Sequence, residues 1–145
     1  MSGEGGVSVG QVSAGARVGV SAGVASFLDT PSVASVTTLR GDGSPHVVVV
    51  RFTWDQEAGV ARVMTVASSV KARNVLRVPG ARVALCQAEG FRWVTLEGVG
   101  VVSDDPQRVA QGVGRYTRRY GSPPPRPPGR VVLEVSVDRV MSLNC

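Results

Sequence analysis

The sequence predicts a mainly β protein, with six or more antiparallel strands in a closed or split barrel and two or three short helices. Valine fills 30 of the 145 positions while aromatic residues make up only 5%, and the stiff, branched side chain of valine favours pleated sheets. Short strand patterns separated by turn signals indicate hairpins. No apolar run reaches the ~18 residues of a membrane span. We therefore expect a single soluble, cytoplasmic domain over residues 13–145 with no membrane partner.

The first half of the chain predicts a leader, a helix and a three-stranded meander. Residues 1–12 are mainly Gly, Ser and Val, which is typical of a disordered leader. A weak helical pattern covers residues 14–29 and ends before Pro31. Strands are predicted over residues 35–40, 45–54 and 60–66. Four consecutive valines at 47–50 indicate that both faces of the second strand are buried.

The second half predicts two helices and three further strands. A short helix over residues 68–77 has Ser68 or Ser69 as its cap. Strands follow over residues 82–87 and 91–102, and the last strand covers 130–137 with clean apolar alternation. An acidic cap with proline in the first turn predicts a helix over 106–120. The five prolines of residues 121–129 then require an extended segment.

Cysteine and histidine usage excludes the commonest metal and nucleophile chemistries. Cys86 and Cys145 are too few for a disulfide framework or a zinc site. A lone histidine, His46, cannot supply a histidine-based metal centre, and the chain has no plausible Ser/His/Asp set. We therefore expect no metal site.

The charge balance points to an anionic ligand. The net charge is +5 at pH 7, and fifteen of the sixteen cationic residues are arginine. Arginine enrichment is equally consistent with a GC-rich genome, but its guanidinium group also binds phosphate and carboxylate in a forked geometry. The arginines are dispersed and no nucleic-acid-binding signature accompanies them, so we expect no nucleic-acid partner.

One segment carries the pattern of a phosphate site. A predicted strand ends at Met64-Thr65-Val66, two serines follow at 68 and 69, and a helix begins with Lys71 and Arg73 in its first turns. Helix N-termini offer free N–H groups and a positive dipole end, and the serine hydroxyls add donors. The glycines of a Walker loop are missing. A capped surface helix with two solvated cations stays open as the alternative.

Five segments, in order, resemble the flavin/deazaflavin oxidoreductase superfamily, which has the FMN-binding split-barrel fold of pyridoxamine 5'-phosphate oxidase. They are Thr37–Val48 as the opening hairpin, Ser69–Asn74 as the phosphate segment, Arg92–Gly98 as the long central strand, and Arg115–Gly121 with Pro125–Val132 as the C-terminal pattern. The C-terminal pattern is similar to that of the branch that uses the deazaflavin coenzyme F420, and in particular to actinobacterial F420-dependent biliverdin reductases.

The resemblance implies a homodimer with one cofactor per protomer in a groove at the dimer interface. It implies that Ser69, Lys71 and Arg73 hold the cofactor phosphate, with Ser68 and Asn74 nearby. The implied ring contacts are the backbone of Val49, Val50, Arg51 and Phe52, the side chains of Met64 and Thr65 beneath the ring, and Gln87 and Trp93 at the border.

The implied activity is hydride transfer from reduced F420 to a conjugated small molecule, with biliverdin to bilirubin as the best candidate. The sequence contains no evident side-chain acid for the accompanying proton, so we expect water to supply it. An FMN-dependent reductase or a pyridoxamine phosphate oxidase-like enzyme is the first alternative. A non-catalytic protein that binds a cofactor or tetrapyrrole is the second, because a shared fold does not fix the function.

Overall fold

Residues 6–11 and 18–145 are described by a computed structural model, in which one antiparallel sheet carries three helices. The strands are β1 (Ser8–Gln11), β2 (Val33–Leu39), β3 (Pro45–Arg51), β4 (Thr53–Asp55), β5 (Val60–Val66), β6 (Arg82–Glu89), β7 (Arg92–Ser103) and β8 (Arg130–Leu143). The helices are α1 (Ala22–Asp29), α2 (Val70–Arg77) and α3 (Pro106–Tyr120).

The sheet has the strand order β3-β2-β6-β7-β8-β5-β4, and β1 pairs with the end of β8. All pairings are antiparallel. The sheet curls, so that β3 also approaches β5 although the two do not pair. The predicted fold class, a mainly β antiparallel barrel-like sheet with short helices, is confirmed. None of the described helices is long and apolar enough to cross a membrane.

The hydrophobic core fills the inside of the curled sheet. Side chains of a strand alternate between its two faces, so every second residue of the central strands points inward. The largest fully buried side chains are Phe52, Leu28, Leu85, Leu96 and Leu133. Helix α1 packs Phe27 and Leu28 into this same cluster. The core is therefore continuous from α1 through the central strands.

Helix α3 has the bounds that the sequence predicts. The Asp105 carboxylate accepts a hydrogen bond from the Arg108 N–H, and Pro106 occupies the first turn. Gly121, with φ of 80°, ends the helix in the left-handed conformation that glycine adopts without strain. Local chemistry at both ends thus determines this helix, and its prediction over 106–120 is confirmed.

The last strand is longer than the predicted 130–137, because a bulge interrupts its pattern. Gly98 pairs with Val137 and Glu97 pairs with Arg139, which leaves Asp138 as the extra residue. A bulge shifts the side-chain alternation by one residue. From Leu133 to Val137 the buried positions are odd-numbered, whereas after Asp138 they are even-numbered, at Val140 and Ser142. The strand therefore continues to Leu143, although the apolar alternation seen up to Val137 is interrupted at Asp138.

The prediction that both faces of the valine run are buried is wrong. Strand β3 lies at the edge of the sheet, and Val47 and Val49 on its outer face are 57% and 68% exposed. The predicted strand 45–54 is also divided at Phe52 into β3 and β4. An unbroken apolar run fits a strand that is covered on both faces, but no described element covers the outer face of β3.

Two predictions near the N-terminus are corrected. Of the predicted disordered leader, Ser8–Gln11 forms β1 and pairs with β8. Residues 1–5 and 12 lie outside the described residues. The helix predicted over 14–29 begins only at Ala22, because Ser21 accepts a hydrogen bond from the Val24 N–H and caps it there. The predicted helical residues 14–17 lie outside the described residues.

A buried network of charges joins β4, β5, β8 and α3. The Arg62 guanidinium lies 2.9 Å from the Asp55 carboxylate and 3.2 Å from that of Glu134. Arg108 also pairs with Glu134, and Arg115 lies 3.1 Å from Asp55. Both carboxylates are therefore compensated by cations on both sides, as burial of charge requires.

We expect Asp55 to make the folded state sensitive to acid. Burial raises the pKa of its carboxyl, but hydrogen bonds from Arg62 and Ala58 and the charge of Arg115 outweigh this and leave the pKa below its ordinary value of 3.8. Such a group stabilises the fold above the unfolded pKa, and this contribution is lost as the pH falls through the folded pKa. When the pH is lowered below 3.8, the free energy of unfolding should therefore fall less for Asp55→Asn than for the parent protein, as measured by urea unfolding at each pH. Equal acid sensitivity would contradict this assignment.

Candidate functional site

A groove of about 340 Å³ opens beside the ends of β3 and β5. Its walls are Val50 and Arg51 of β3, Met64, Thr65 and Val66 of β5, Tyr116 of α3, and Pro124, Pro125, Pro127 and Arg130. This volume lies at the lower end of the range, about 300–1,000 Å³, that is typical of ligand pockets. The structure thus brings together Val50, Arg51, Met64 and Thr65 of the predicted site.

The proline-rich segment forms one wall of the groove because of the strand register. Val66 at the end of β5 pairs with Arg130 at the start of β8, so the residues just before Arg130 must pass the end of β5. Pro124 is buried, which holds the segment against the protein. The rigid segment 121–129 is therefore part of the candidate site as well as a connection between α3 and β8.

Hydroxyl groups connect the groove to the start of α2. The Thr65 hydroxyl donates to Ser69 Oγ over 3.1 Å, and Ser69 Oγ accepts a hydrogen bond from the Ala72 N–H over 3.3 Å. Ser69, rather than Ser68, is therefore the cap of α2, which begins at Val70. This arrangement positions the positive N-terminal end of α2 next to the groove.

The predicted phosphate-binding side chains lie on this first turn or directly before it. Lys71 is half-buried, and burial lowers the pKa of its amino group below the ordinary value of 10.5. Ser68 and Arg73 are exposed. Ser68 and Lys71 thus lie one residue before and two residues after the capping residue Ser69, so a hydroxyl group and a partly desolvated cation belong to the N-terminal end of α2.

Arg51 meets two tyrosines of α3 at the groove. Its guanidinium donates to the Tyr116 hydroxyl over 3.0 Å and lies 4.9 Å from the centre of the Tyr120 ring. The two rings are themselves 4.9 Å apart. Such cation–π contacts orient an arginine without neutralising its charge. Arg51 therefore presents a fixed positive charge, and its exposed side chain remains accessible to an anionic ligand.

The junction between β3 and β4 is held by the end of α3. The Tyr120 hydroxyl accepts a hydrogen bond from the Phe52 N–H over 3.1 Å and donates to the Ser32 carbonyl over 2.6 Å. Arg119 donates to the Phe52 carbonyl. Tyr120 thus packs against Tyr116 and also fixes backbone groups through its hydroxyl. The N–H and carbonyl groups of Phe52 are therefore bonded to α3, and the predicted position of its backbone beside the cofactor ring stays a prediction.

Gln87 and Asn74 are buried and hydrogen-bonded within the protein. Gln87 donates to the Phe27 carbonyl over 2.8 Å and accepts from Arg119 over 2.9 Å. Asn74 donates to the Thr38 hydroxyl over 2.9 Å and accepts from Arg77 over 3.0 Å. Their side-chain amides stabilise the scaffold, and their predicted places, Asn74 near the phosphate and Gln87 at the border of the site, stay predictions.

Trp93 and Val49 lie outside the groove lining. Trp93 is half-buried on β7, opposite Ala88 of β6 and Leu143 of β8. Val49 points to the exposed outer face of β3. Neither side chain contributes to the wall of the groove.

Sequence reasoning missed part of the groove wall. Six residues line the groove although they were not predicted as site residues. They are Val66, Tyr116, Pro124, Pro125, Pro127 and Arg130. The sequence indicates the proline part of this wall only in part: a rigid proline segment between a helix and a strand must pass along the surface between them. Its position beside β5 depends on a pairing between distant strands, which the sequence pattern does not reveal.

Comparisons with known proteins identify relatives over most of the chain. A curated relative is 44% identical over 115 residues, which cover 79% of this chain and 82% of the relative. It is named F420H(2)-dependent biliverdin reductase and comes from Mycobacterium tuberculosis (strain CDC 1551 / Oshkosh).

Solved structures share the fold. One described as an F420 reductase has a TM-score of 0.65 and 26% identity, with 83% of this chain and 98% of that chain covered. A conserved hypothetical protein from Mycobacterium tuberculosis has a TM-score of 0.73 and 23% identity, with 91% and 89% covered. The family model described as pyridoxamine 5'-phosphate oxidase matches residues 21–144. The chain therefore belongs to the pyridoxamine 5'-phosphate oxidase family.

Proposed function

We propose that the protein is an F420-dependent oxidoreductase that reduces a conjugated tetrapyrrole, with biliverdin to bilirubin as its reaction. The observation that carries the proposal is the 44% identity to an F420H(2)-dependent biliverdin reductase. The groove supports it, because an apolar slot that ends at a cationic helix start suits a flat ring system with a phosphate.

The residues present fit a cofactor of this shape. Val50, Met64 and Val66 offer an apolar wall against which a planar ring can pack. At the start of α2, Ser69, Lys71 and Arg73 match the phosphate segment of the family. Burial makes the uncompensated charge of Lys71 costly, and a bound phosphate would offset that cost.

Bound in the reduced form, the coenzyme supplies a hydride from C5 of its deazaflavin ring. The contribution of the protein is positioning and electrostatics. Reduction of the acceptor would add the hydride to its central methine carbon and a proton to a pyrrole nitrogen. Arg51, oriented by Tyr116, is placed to bind a propionate carboxylate of the acceptor. The residues that line the groove include no carboxyl or imidazole group, so we propose that water supplies the proton.

Fluorescence titration of the purified protein with F420, and separately with FMN, tests the cofactor. We expect micromolar or tighter F420 binding and weak FMN binding, followed by F420H2-dependent turnover of biliverdin. Preference for FMN would replace this proposal with a flavin-dependent enzyme. Tight F420 binding without turnover of biliverdin or another acceptor would support a non-catalytic cofactor-binding protein instead.

The affinity for F420 should fall in alkaline solution. A phosphate is bound by the protonated amino group of Lys71, whose pKa burial lowers below 10.5. The affinity should therefore decrease as the pH rises through that lowered pKa, before a free lysine would lose its proton. Lys71→Arg should bind F420 with little pH dependence between neutrality and about pH 10, because a guanidinium stays protonated there. Parallel pH profiles of the parent protein and this variant would contradict a role for Lys71.

The proposal includes a homodimer with β3 at the interface. Val47 and Val49 expose an apolar surface on the strand whose Val50 and Arg51 line the groove, and exposed apolar patches commonly mark interfaces. Sedimentation velocity should show a dimer for the parent protein and a monomer for Val49→Lys. The control is Val101→Lys, since Val101 is 44% exposed on β7. A dimer that survives Val49→Lys would place the interface elsewhere.

A further inference from the structure

Tyr116 of α3 lines the groove and carries a phenol whose proton the fold does not use. Its oxygen accepts a hydrogen bond from the Arg51 guanidinium over 3.0 Å, and its own O–H donates to no acceptor among the described residues. Arg51 is exposed and Tyr116 is half-buried, so the bond between them is open to water. The groove wall therefore contains a hydroxyl group that is free to donate to a bound molecule.

The other side chains of the groove wall that carry exchangeable protons are poorly suited to release one. The Thr65 hydroxyl donates to Ser69 Oγ over 3.1 Å. The guanidinium groups of Arg51 and Arg130 do not deprotonate in proteins. Among the residues that line the groove, Tyr116 is therefore the side chain that can act as an acid.

The neighbours of Tyr116 suit a phenol that gives up its proton. Arg51 already bonds to the oxygen, so its positive charge stabilises the negative charge that remains there when the proton leaves. A guanidinium has five N–H donors and can bind an acceptor carboxylate at the same time. The adjacent Tyr120 hydroxyl donates to the Ser32 carbonyl over 2.6 Å, so it is not available for the same task. Since a phenol is a far stronger acid than water, a proton passes to an acceptor more easily from Tyr116 than directly from solvent.

We propose that Tyr116 is a catalytic residue of the reduction proposed above, on which this inference rests, and that its hydroxyl donates the proton to the pyrrole nitrogen of the acceptor. Addition of the hydride to the methine carbon leaves the electron pair of the reduced double-bond system on that nitrogen. The O–H bond of Tyr116 breaks as the N–H bond forms, and Arg51 stabilises the phenolate. A water molecule then returns a proton to the phenolate and leaves as hydroxide. Water thus remains the net source of the proton, and Tyr116 is the group through which it passes.

Tyr116→Phe tests the proposal, because it removes the hydroxyl and keeps the ring. The Arg51 guanidinium lies 5.8 Å from the centre of the Tyr116 ring and 4.9 Å from that of Tyr120, so both cation–π contacts remain. Single-turnover reduction of biliverdin by the protein loaded with F420H2 should slow about 100-fold, as expected for the loss of a general acid. The dissociation constant of biliverdin from the protein loaded with oxidised F420 should change less than about threefold, because Arg51 stays in place.

A second substitution distinguishes proton transfer from the orientation of Arg51. Replacement of Tyr116 by 3-fluorotyrosine keeps the hydroxyl and its bond to Arg51 but makes the phenol more acidic. The rate falls at alkaline pH where a general acid loses its proton, so this decrease should occur at lower pH in the fluorinated protein. A tyrosine that only orients Arg51 would leave the pH profile unchanged, and an unchanged profile overturns the proposal.

The control is Trp54→Phe, which removes an aromatic hydrogen-bond donor outside the groove. Trp54 donates to Gln56 over 2.8 Å and is not among the groove-lining residues, so the single-turnover rate should stay within about twofold of the parent rate. If the parent protein reduces biliverdin and Tyr116→Phe does so equally fast, the role of Tyr116 is overturned and the proposed function stands. If the parent protein bound to F420H2 does not reduce biliverdin, the proposed function itself is overturned, and the role of Tyr116 with it.

Discussion

Replacing Lys71 and Arg73 together by alanine is expected to weaken F420 binding about 100-fold, because each charge-assisted hydrogen bond contributes roughly 1.5 kcal/mol and 1.4 kcal/mol corresponds to a factor of ten. Both side chains lie in the first turns of α2, next to the Ser69 cap that bonds to Thr65 of the groove. The change is measured by fluorescence titration at neutral pH. Circular dichroism should show an unaltered fold, since neither side chain has a packing role in the core.

The matched control removes two arginines elsewhere. Arg118 and Arg139 are both exposed, on α3 and β8 respectively, so Arg118→Ala/Arg139→Ala lowers the net charge by the same amount. This control should bind F420 within about threefold of the parent protein, as expected for screened charges. If both double variants lose affinity equally, the net charge rather than a phosphate site explains the result.

Asp55→Ala is expected to destabilise the fold by about 3–5 kcal/mol, the cost of removing one partner of a buried ion pair. The carboxylate lies between the guanidinium groups of Arg62 and Arg115 and also accepts the Ala58 N–H in the turn that follows β4. Arg62 would remain buried with less compensation of its charge. Urea unfolding of the parent protein and the variant at neutral pH measures the difference.

An exposed ion pair provides the comparison. Arg82 and Asp138 are bonded at 2.8 Å, but their side chains are 50% and 41% exposed. Asp138→Ala should therefore cost less than about 1 kcal/mol, because solvent screens the pair. A loss for Asp55→Ala no larger than that for Asp138→Ala would mean that the buried network does not stabilise the fold.

The features that the sequence predicted correctly depend on neighbouring residues. Helix α3 follows from an acidic cap, a proline in the first turn and Gly121 at its end. Strand β5 has the predicted bounds, Val60–Val66, because turn residues precede it and capping serines follow it. The link between Thr65 and Ser69 joins residues four positions apart. Each of these elements is specified within a few residues, where sequence patterns are informative.

The features that the sequence did not predict depend on distant residues. The valine run of β3 is half-exposed because no described element packs on its outer face. Gln87 is bonded to the Phe27 carbonyl, sixty positions away, and to Arg119. A buried amide in a strand satisfies its hydrogen bonds with whichever groups the fold brings to it. The sequence alone does not distinguish such a structural partner from a cofactor.

The last turns of α3 border two spaces in the protein. One is the groove, and the other is a second cavity of about 470 Å³ between α1, β4 and α3. Tyr116 lines the groove, whereas Arg115, Arg118 and Arg119 line the second cavity, and Tyr120 fixes the junction at Phe52. Substitutions in these turns that aim to change the acceptor specificity therefore affect more than the groove. A substitution that shifts the helix axis would reshape both cavities at once, whereas the proline segment 121–129 can be varied with direct effects on the groove alone. Libraries for altered specificity are best confined to that segment.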